Sequence, residues 1–301
     1  MPFQYKVSED KKVRIIIDTD AACEADDPFA IAHALMCQKF DVRAIFAEQF
    51  NREGSTRQSY EEILTVLRAM KKEVPVFMGE ETKISEKKQG EEVSPAADFL
   101  IEEAMREDEK PLFVLCIGAI TNVASAMMKE KEIAKHMTIV WIGGQGHEHS
   151  TPEVREFNAG NDVEAINYVL NSGVNFWQIP NDVYGKMRIS LAEIERRIAP
   201  CGEIGRHLFE NMETYNHSEH AGWTAGESWT LGDSPAVGVV LDPDCGFYHE
   251  TEAPIILDDT TNKFEKGRPK IRVYTSVDSR FILEDFIAKL EVLYGKDSDT
   301  K

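Results

Sequence analysis

Short β-rich runs alternate with helical stretches through the first half of the chain, and this rhythm constrains the fold more than any other feature. VRIIID (13–18), FDVRAIFAE (40–48), VPVFMG, PLFVLCIG, MTIVWIGG (137–144) and VNFWQIP read as strands. Between them, 27–38, 55–71, 95–106, 119–129 and VEAINYVLNSG read as helices. Strands alternating with helices of this length favour a parallel sheet. Near-continuous apolar strands fit a sheet covered on both faces. The second half is less regular. LAEIERRIAPCGEIGRHLFENMETYNH reads as two helices and HAGWTAGESWTLGD as a loop. SPAVGVVL reads as a short helix, APIIL and KIRVYT as strands, and 278–293 as a last helix. With no internal repeat and no low-complexity linker, residues 1–301 are expected to form one α/β domain with a mostly parallel central sheet and helices on both faces.

Charge and cysteine usage narrow the function. The formal charge of −19 argues against nucleic acid, because phosphate binding needs clustered Lys and Arg. No long apolar window reads as a membrane span, and MPFQYKVSEDKKVR has no apolar signal core. The expectation is a soluble cytoplasmic protein. Cys23, Cys37, Cys116, Cys201 and Cys245 are scattered without a CxxC pair, which reads as reduced thiols.

The chemistry concentrates where the first strand ends. Residues 14–35 read RIIIDTDAACEADDPFAIAHAL, an apolar strand that runs into Asp18, Asp20, Glu24, Asp26 and Asp27 before a helix. Open parallel sheets bind ligands beyond the carboxyl ends of their strands. Asp27 before Pro28 could serve only as a helix cap. A cap does not account for the other acids, which repel one another unless a cation neutralises them. A hard cation with an all-oxygen set, Ca²⁺ or Mg²⁺, would do so. A haloacid-dehalogenase type site also begins with DxD, but its motif does not continue to a DD pair. An EF-hand needs a turn glycine and a glutamate at loop position 12, and neither is present.

With these residues in view, the stretch resembles the opening of the inosine-uridine-preferring nucleoside hydrolases: a strand, then DxDxxxDD, then a helix. Further blocks follow in that family's order: FAEQFN (46–51), CIGAITNVASAM (116–127), IVWIGG (139–144), EFNAGNDVEAI (156–166) and SWTLGDSPAV (228–237). The resemblance implies a Rossmann-like α/β fold and a homodimer or homotetramer. It also implies Ca²⁺ held by Asp20, Asp27, Asp233 and the backbone carbonyl of Ile117. Asp20 would orient and deprotonate the attacking water. Asp26, Asn51, Glu156, Asn158 and Asp233 would hold the ribose, with Asp18 a supporting acid behind the ligands. Glu156 and Asn158 could instead cap a helix starting near Asp162, and Asn51 alone reads as a turn residue.

The chain departs from the family pattern in three places. Asp20 and Asp26 are six residues apart rather than four, which adds Glu24. Ile142 stands where methionine is usual. Gly232 precedes Asp233, where many members carry a histidine proposed to protonate the leaving base and purine-specific members carry an aromatic residue. Candidates to replace that acid lie in YNHSEHAGWTAGESW. His220, then His217, are the best, because a near-neutral pKa suits an acid. Trp223 and Trp229 could stack on a base. Surface loop histidines are ordinarily solvated. His147 and His149 read as part of a loop over the base site rather than as metal ligands, and His207 as structural.

The expected activity is therefore metal-dependent hydrolysis of the N-glycosidic bond of a ribonucleoside, to free base and ribose, by a water held on Ca²⁺. Two alternatives follow from Gly232: a ribose or nucleoside binder without turnover, or a hydrolase of a different riboside.

Overall fold

The computed structural model describes residues 3–87 and 92–295, so the ends of the span expected to form one domain lie outside the described residues. In chain order the strands are β1 (Val13–Thr19), β2 (Phe40–Ala47), β3 (Val76–Met78), β4 (Leu112–Cys116), β5 (Met137–Ile142), β6 (Asn175–Ile179), β7 (Arg188–Ser190), β8 (Ser228–Thr230), β9 (Gly246–Glu252), β10 (Ile255–Ile256), β11 (Asn262–Lys263) and β12 (Lys270–Val277). Eight of these form one sheet in the order β3-β2-β1-β4-β5-β6-β12-β9. Neighbours in it run parallel, except β12 and β9.

The alternation of side chains along β1 sorts its isoleucines between two layers. Ile16 packs with Leu100, Val123 and Ile166 on one face. Ile15 and Ile17 pack with Phe29, Val237 and Phe286 on the other. Every residue of β1 is buried; Ile15–Ile17 make its centre apolar on both faces, while buried Arg14 and Asp18 near its ends are bonded by Glu103 and Asn122. Chain order reverses at β1, which lies between β2 and β4. Such a switch point leaves a crevice beyond the carboxyl ends of β1 and β4.

Three segments differ from the sequence expectation. GFYHETE becomes β9, an antiparallel edge strand whose middle residues are exposed, so it lacks the apolar signature of the interior strands. HAGWTAGESWTLGD is not wholly a loop. It contains β8, which pairs with β7 and sets Trp229 opposite Ile189. APIIL contracts to the two-residue β10, paired with β11.

Asn122, at the start of helix Thr121–Lys129, ties three strand ends together. Its Nδ2 donates to Asp18 Oδ1 at 2.8 Å, and its Oδ1 accepts from Glu80 N at 2.7 Å. Its own amide donates to Glu48 Oε2 at 3.1 Å. Removing the side chain strands a buried carboxylate oxygen and a buried N–H, at about 1–3 kcal/mol each. Asn122→Ala is expected to lower stability by about 3 kcal/mol in total. That is a drop in Tm of roughly 5 °C for a chain of this size. A thermal melt displaced by under about 2 °C would show that the network carries little.

Candidate active site

The loop after β1 and the loop before helix Ser234–Leu241 meet beyond the strand ends. Both lead into a helix in the same way. Asp26 precedes helix Asp27–Met36, and Asp233 precedes Ser234–Leu241, each with a proline in the first turn. Partial positive charge at both helix N-termini favours acids there. Asp26 accepts hydrogen bonds from the backbone amides of Gly232 and Asp233, which fastens the two loops to each other.

Asp20, Glu24, Asp26, Asp27, Asp233 and Glu156 all line one cavity of about 80 Å³, with Cys23, Ile117, Ile142, Phe157, Asn158, Tyr184 and Gly232. The lining contains no Lys or Arg. A larger open groove of about 1160 Å³ runs along helix Val163–Leu170 but contains none of the expected site residues.

The acids are close together and poorly compensated. Carboxylate oxygens of Asp26, Asp27 and Asp233 lie within 4.8 Å of one another. Asp20 Oδ2 is buried with no hydrogen-bond partner. Burial, reinforced by Asp27 and then by Asp26 and Glu24, holds the Asp20 carboxyl well above its ordinary value. Burial and the neighbouring acids do the same to Asp27 and Asp233. Burial lifts Asp26 to about 6, although the backbone amides oppose it. Glu24 is raised to about 8 by burial and then by Asp26. A buried all-oxygen set with an orphaned oxygen and no cationic side chain fits a divalent metal ion.

The opposite wall is the EFN block. Glu156 caps helix Phe157–Asn161. Its Oε2 accepts from Gly144 N and Ala159 N, both at 2.8 Å, while Tyr184 OH donates to its Oε1 at 2.8 Å. Asn158 Nδ2 donates to the Ile142 carbonyl at 2.9 Å. The helix that starts near Asp162 is capped by Asp162 itself, not by Glu156 or Asn158; Glu156 caps Phe157–Asn161 and still faces the cavity.

The sequence of this chain matches the model of the inosine-uridine preferring nucleoside hydrolases over residues 15–284. The chain belongs to that family. It is similar to the pyrimidine-specific ribonucleoside hydrolase RihA of Salmonella arizonae, 30% identical over 70% of this chain and 74% of the relative. In fold it is similar to a purine-preferring ribonucleoside hydrolase from Gardnerella vaginalis, with a TM-score of 0.78 at 21% identity over 93% of this chain and 99% of that one. A plant nucleoside hydrolase, PpNRh1, matches with a TM-score of 0.78 at 19% identity over 92% and 98%. The chain is a hydrolase acting on N-glycosyl bonds, an N-ribohydrolase.

The hydrolase fold brings together most of the residues singled out in the sequence. Asp20, Asp26, Asp27, Ile117, Glu156, Asn158 and Asp233 share the cavity. Asp18 lies behind it, fully buried, with burial raising its carboxyl to about 7 against the opposing bonds from Asn122 and Glu48. Among the described residues, two assigned residues fall outside. Asn51 is exposed and lines a separate hollow with Gln49 and Arg52. β2 ends at Ala47, and the chain turns at Asn51 with φ +56°, so its side chain does not line the acidic cavity. His220 also fails to reach the cavity. Its side chain is 71% exposed on the short turn Glu219–Ala221.

The remaining candidates scatter as well. His217 is exposed and faces Glu213 at 3.3 Å. Trp229 is buried in the core, with half-exposed Trp223 packed edge-on against it at 4.8 Å. His147 Nε2 donates to Gln178 Oε1 at 3.0 Å and packs on Phe264, while His149 is exposed. His207 pairs with Glu62 at 2.6 Å, a structural role. The five cysteines are free. No helix among the described residues is long and apolar enough to cross a membrane. Tyr184 and Cys23 line the cavity and were not singled out in the sequence.

Proposed function

We propose that this single-domain hydrolase cleaves the N-glycosidic bond of a ribonucleoside, using a divalent cation, preferably Ca²⁺. The observation that carries this reading is the convergence of the carboxylates of Asp20, Asp26, Asp27, Asp233 and Glu156 on one cavity at the switch point of the sheet. Asp20, Asp27, Asp233 and the Ile117 carbonyl would hold the cation. When bound, it would lower the pKa of a water and help fix the ribose hydroxyls.

Asp20 orients the attacking water and accepts its proton. The water oxygen bonds to C1′ of the ribose as the bond from C1′ to the base nitrogen breaks. The base departs with the electron pair and takes up a proton. Asp26, Glu156 and Asn158 hold the ribose, and the negative groups around it stabilise positive charge developing at C1′.

A turnover screen tests the proposal. Inosine, uridine, adenosine, guanosine, cytidine and p-nitrophenyl riboside are each incubated with the protein and Ca²⁺, and free ribose is measured. Release of ribose from natural nucleosides is expected. Turnover of p-nitrophenyl riboside alone would mean that leaving-base activation is missing and that the substrate is a different riboside. No turnover of any of them would overturn the reading.

A further inference from the structure

Position 232 has no side chain, and Tyr184 fills the space beside it. Tyr184 closes the short helix Asn181–Tyr184, which follows β6 at the carboxyl edge of the sheet. A Cβ added at Gly232 would lie 3.2 Å from Tyr184 Cδ2 and 3.3 Å from Asp26 Oδ2. Both approaches are tighter than side chains ordinarily tolerate, so a residue larger than glycine would press the ring away from Asp26. At its other end the Tyr184 hydroxyl donates to Glu156 Oε1 at 2.8 Å, so the ring spans from the Asp26–Gly232 wall to the Glu156 wall. Phe157, 46% exposed, lines the same cavity and adds a second aromatic surface. The cavity of about 80 Å³ is well below the roughly 300–1,000 Å³ of small-molecule sites, so a nucleoside enters only if a wall moves. The Tyr184 ring packs against the core, and its hydroxyl makes one side-chain hydrogen bond, to Glu156.

We propose that Tyr184 is a specificity-determining residue of this hydrolase: its ring is the surface against which the base of the nucleoside packs, in the space left by Gly232. The proposal rests on the ribonucleoside reading above. It also accounts for Gly232, since an aromatic group then reaches the base from a different element of the fold.

The test is steady-state kinetics on inosine and uridine, with free ribose as a competing ligand. It uses Tyr184→Ala, Tyr184→Leu, Tyr184→Phe, Gly232→Ala and the double variant Tyr184→Ala/Gly232→Ala. Loss of base stacking is expected to raise KM about tenfold in Tyr184→Ala and Tyr184→Leu. The inhibition constant of ribose should move less than about threefold, because ribose has no base to stack. Tyr184→Phe should bring KM back to within about threefold of the parent. Gly232→Ala should cost more in the parent than in the Tyr184→Ala background, because the two positions share one space.

An unmoved KM in Tyr184→Leu and Tyr184→Ala would overturn the proposal, as would KM and the ribose constant rising together. In either case an active parent leaves the ribonucleoside reading standing. A parent protein that neither binds nor hydrolyses any nucleoside would overturn both.

Discussion

Asp20→Ala is expected to abolish release of ribose and calorimetric binding of Ca²⁺ together. Asp20 lines the cavity, and its Oδ2 is buried with no partner. Its neighbours have structural duties. Asp27 accepts from Thr19 Oγ1 at 2.6 Å, and Asp18 is bonded by Asn122 outside the cavity lining. Asp20 is also closely fitted, since a Cβ at Gly118 would come 2.9 Å from its Oδ1. Losing a general base costs about 10²–10⁴ in rate, and losing a metal ligand at the same position adds to that. We expect kcat/KM to fall by at least about 10³ in Asp20→Ala and in the isosteric Asp20→Asn. Stability should move in the other direction. A carboxylate crowded by other buried acids destabilises the metal-free fold, so both variants should melt at or above the parent temperature in chelator. A purely structural Asp20 would give lower melting and retained turnover per folded molecule, and that pair of results would sink the metal and water assignment.

What could be read from the sequence follows from where information is local. β1 was legible because its centre, Ile15–Ile17, is apolar on both faces, as a strand covered on both sides requires. The acids of the DTDAACEADD stretch were legible because they lie within ten residues of one another. Asp233 and Glu156 come to that cluster from far along the chain, so only the ordered family blocks connected them. β9 was missed because its exposed middle carries Phe247, Tyr248 and His249 outward without an apolar rhythm. His220 was misplaced because chain position says nothing about side-chain direction. Helix Gly202–Asn216 is pinned beside the acidic loop by Tyr215 OH donating to the Ala22 carbonyl at 2.6 Å, and the turn that follows points His220 to solvent. Tyr184 had a signal that went unused. It lies just past the end of β6, where switch-point sheets place functional groups, and Gly232 leaves a space that another residue must fill.

Removing the divalent cation should change how stability depends on pH as well as its magnitude. In the metal-free protein, burial raises Asp26 to about 6 against opposing backbone hydrogen bonds, Asp18 is raised to about 7 by burial against its hydrogen bonds, and Glu24 is raised to about 8 by burial and then by Asp26. The ordinary values are 3.8 for the aspartates and 4.5 for the glutamate. Between the ordinary and raised values the folded chain holds protons that the unfolded chain has released. Stability therefore falls as pH rises from about 4 to about 8. A bound cation needs the ionised carboxylates, so its stabilisation grows over the same interval. At a hundred times its dissociation constant a single-site ligand adds about 2.7 kcal/mol. That corresponds to roughly 4 °C in Tm here. The measurement is a set of melts from pH 5 to pH 9 in chelator, Ca²⁺ or Mg²⁺. The chelator series should decline with pH while the Ca²⁺ series stays above it, with the gap widest near pH 8. A shift with Mg²⁺ as large as with Ca²⁺ would displace Ca²⁺ from the preferred role. Melts in chelator and in either ion that superimpose at pH 8 would mean that these acids hold no divalent cation, and the mechanism proposed for Asp20 would fall with it.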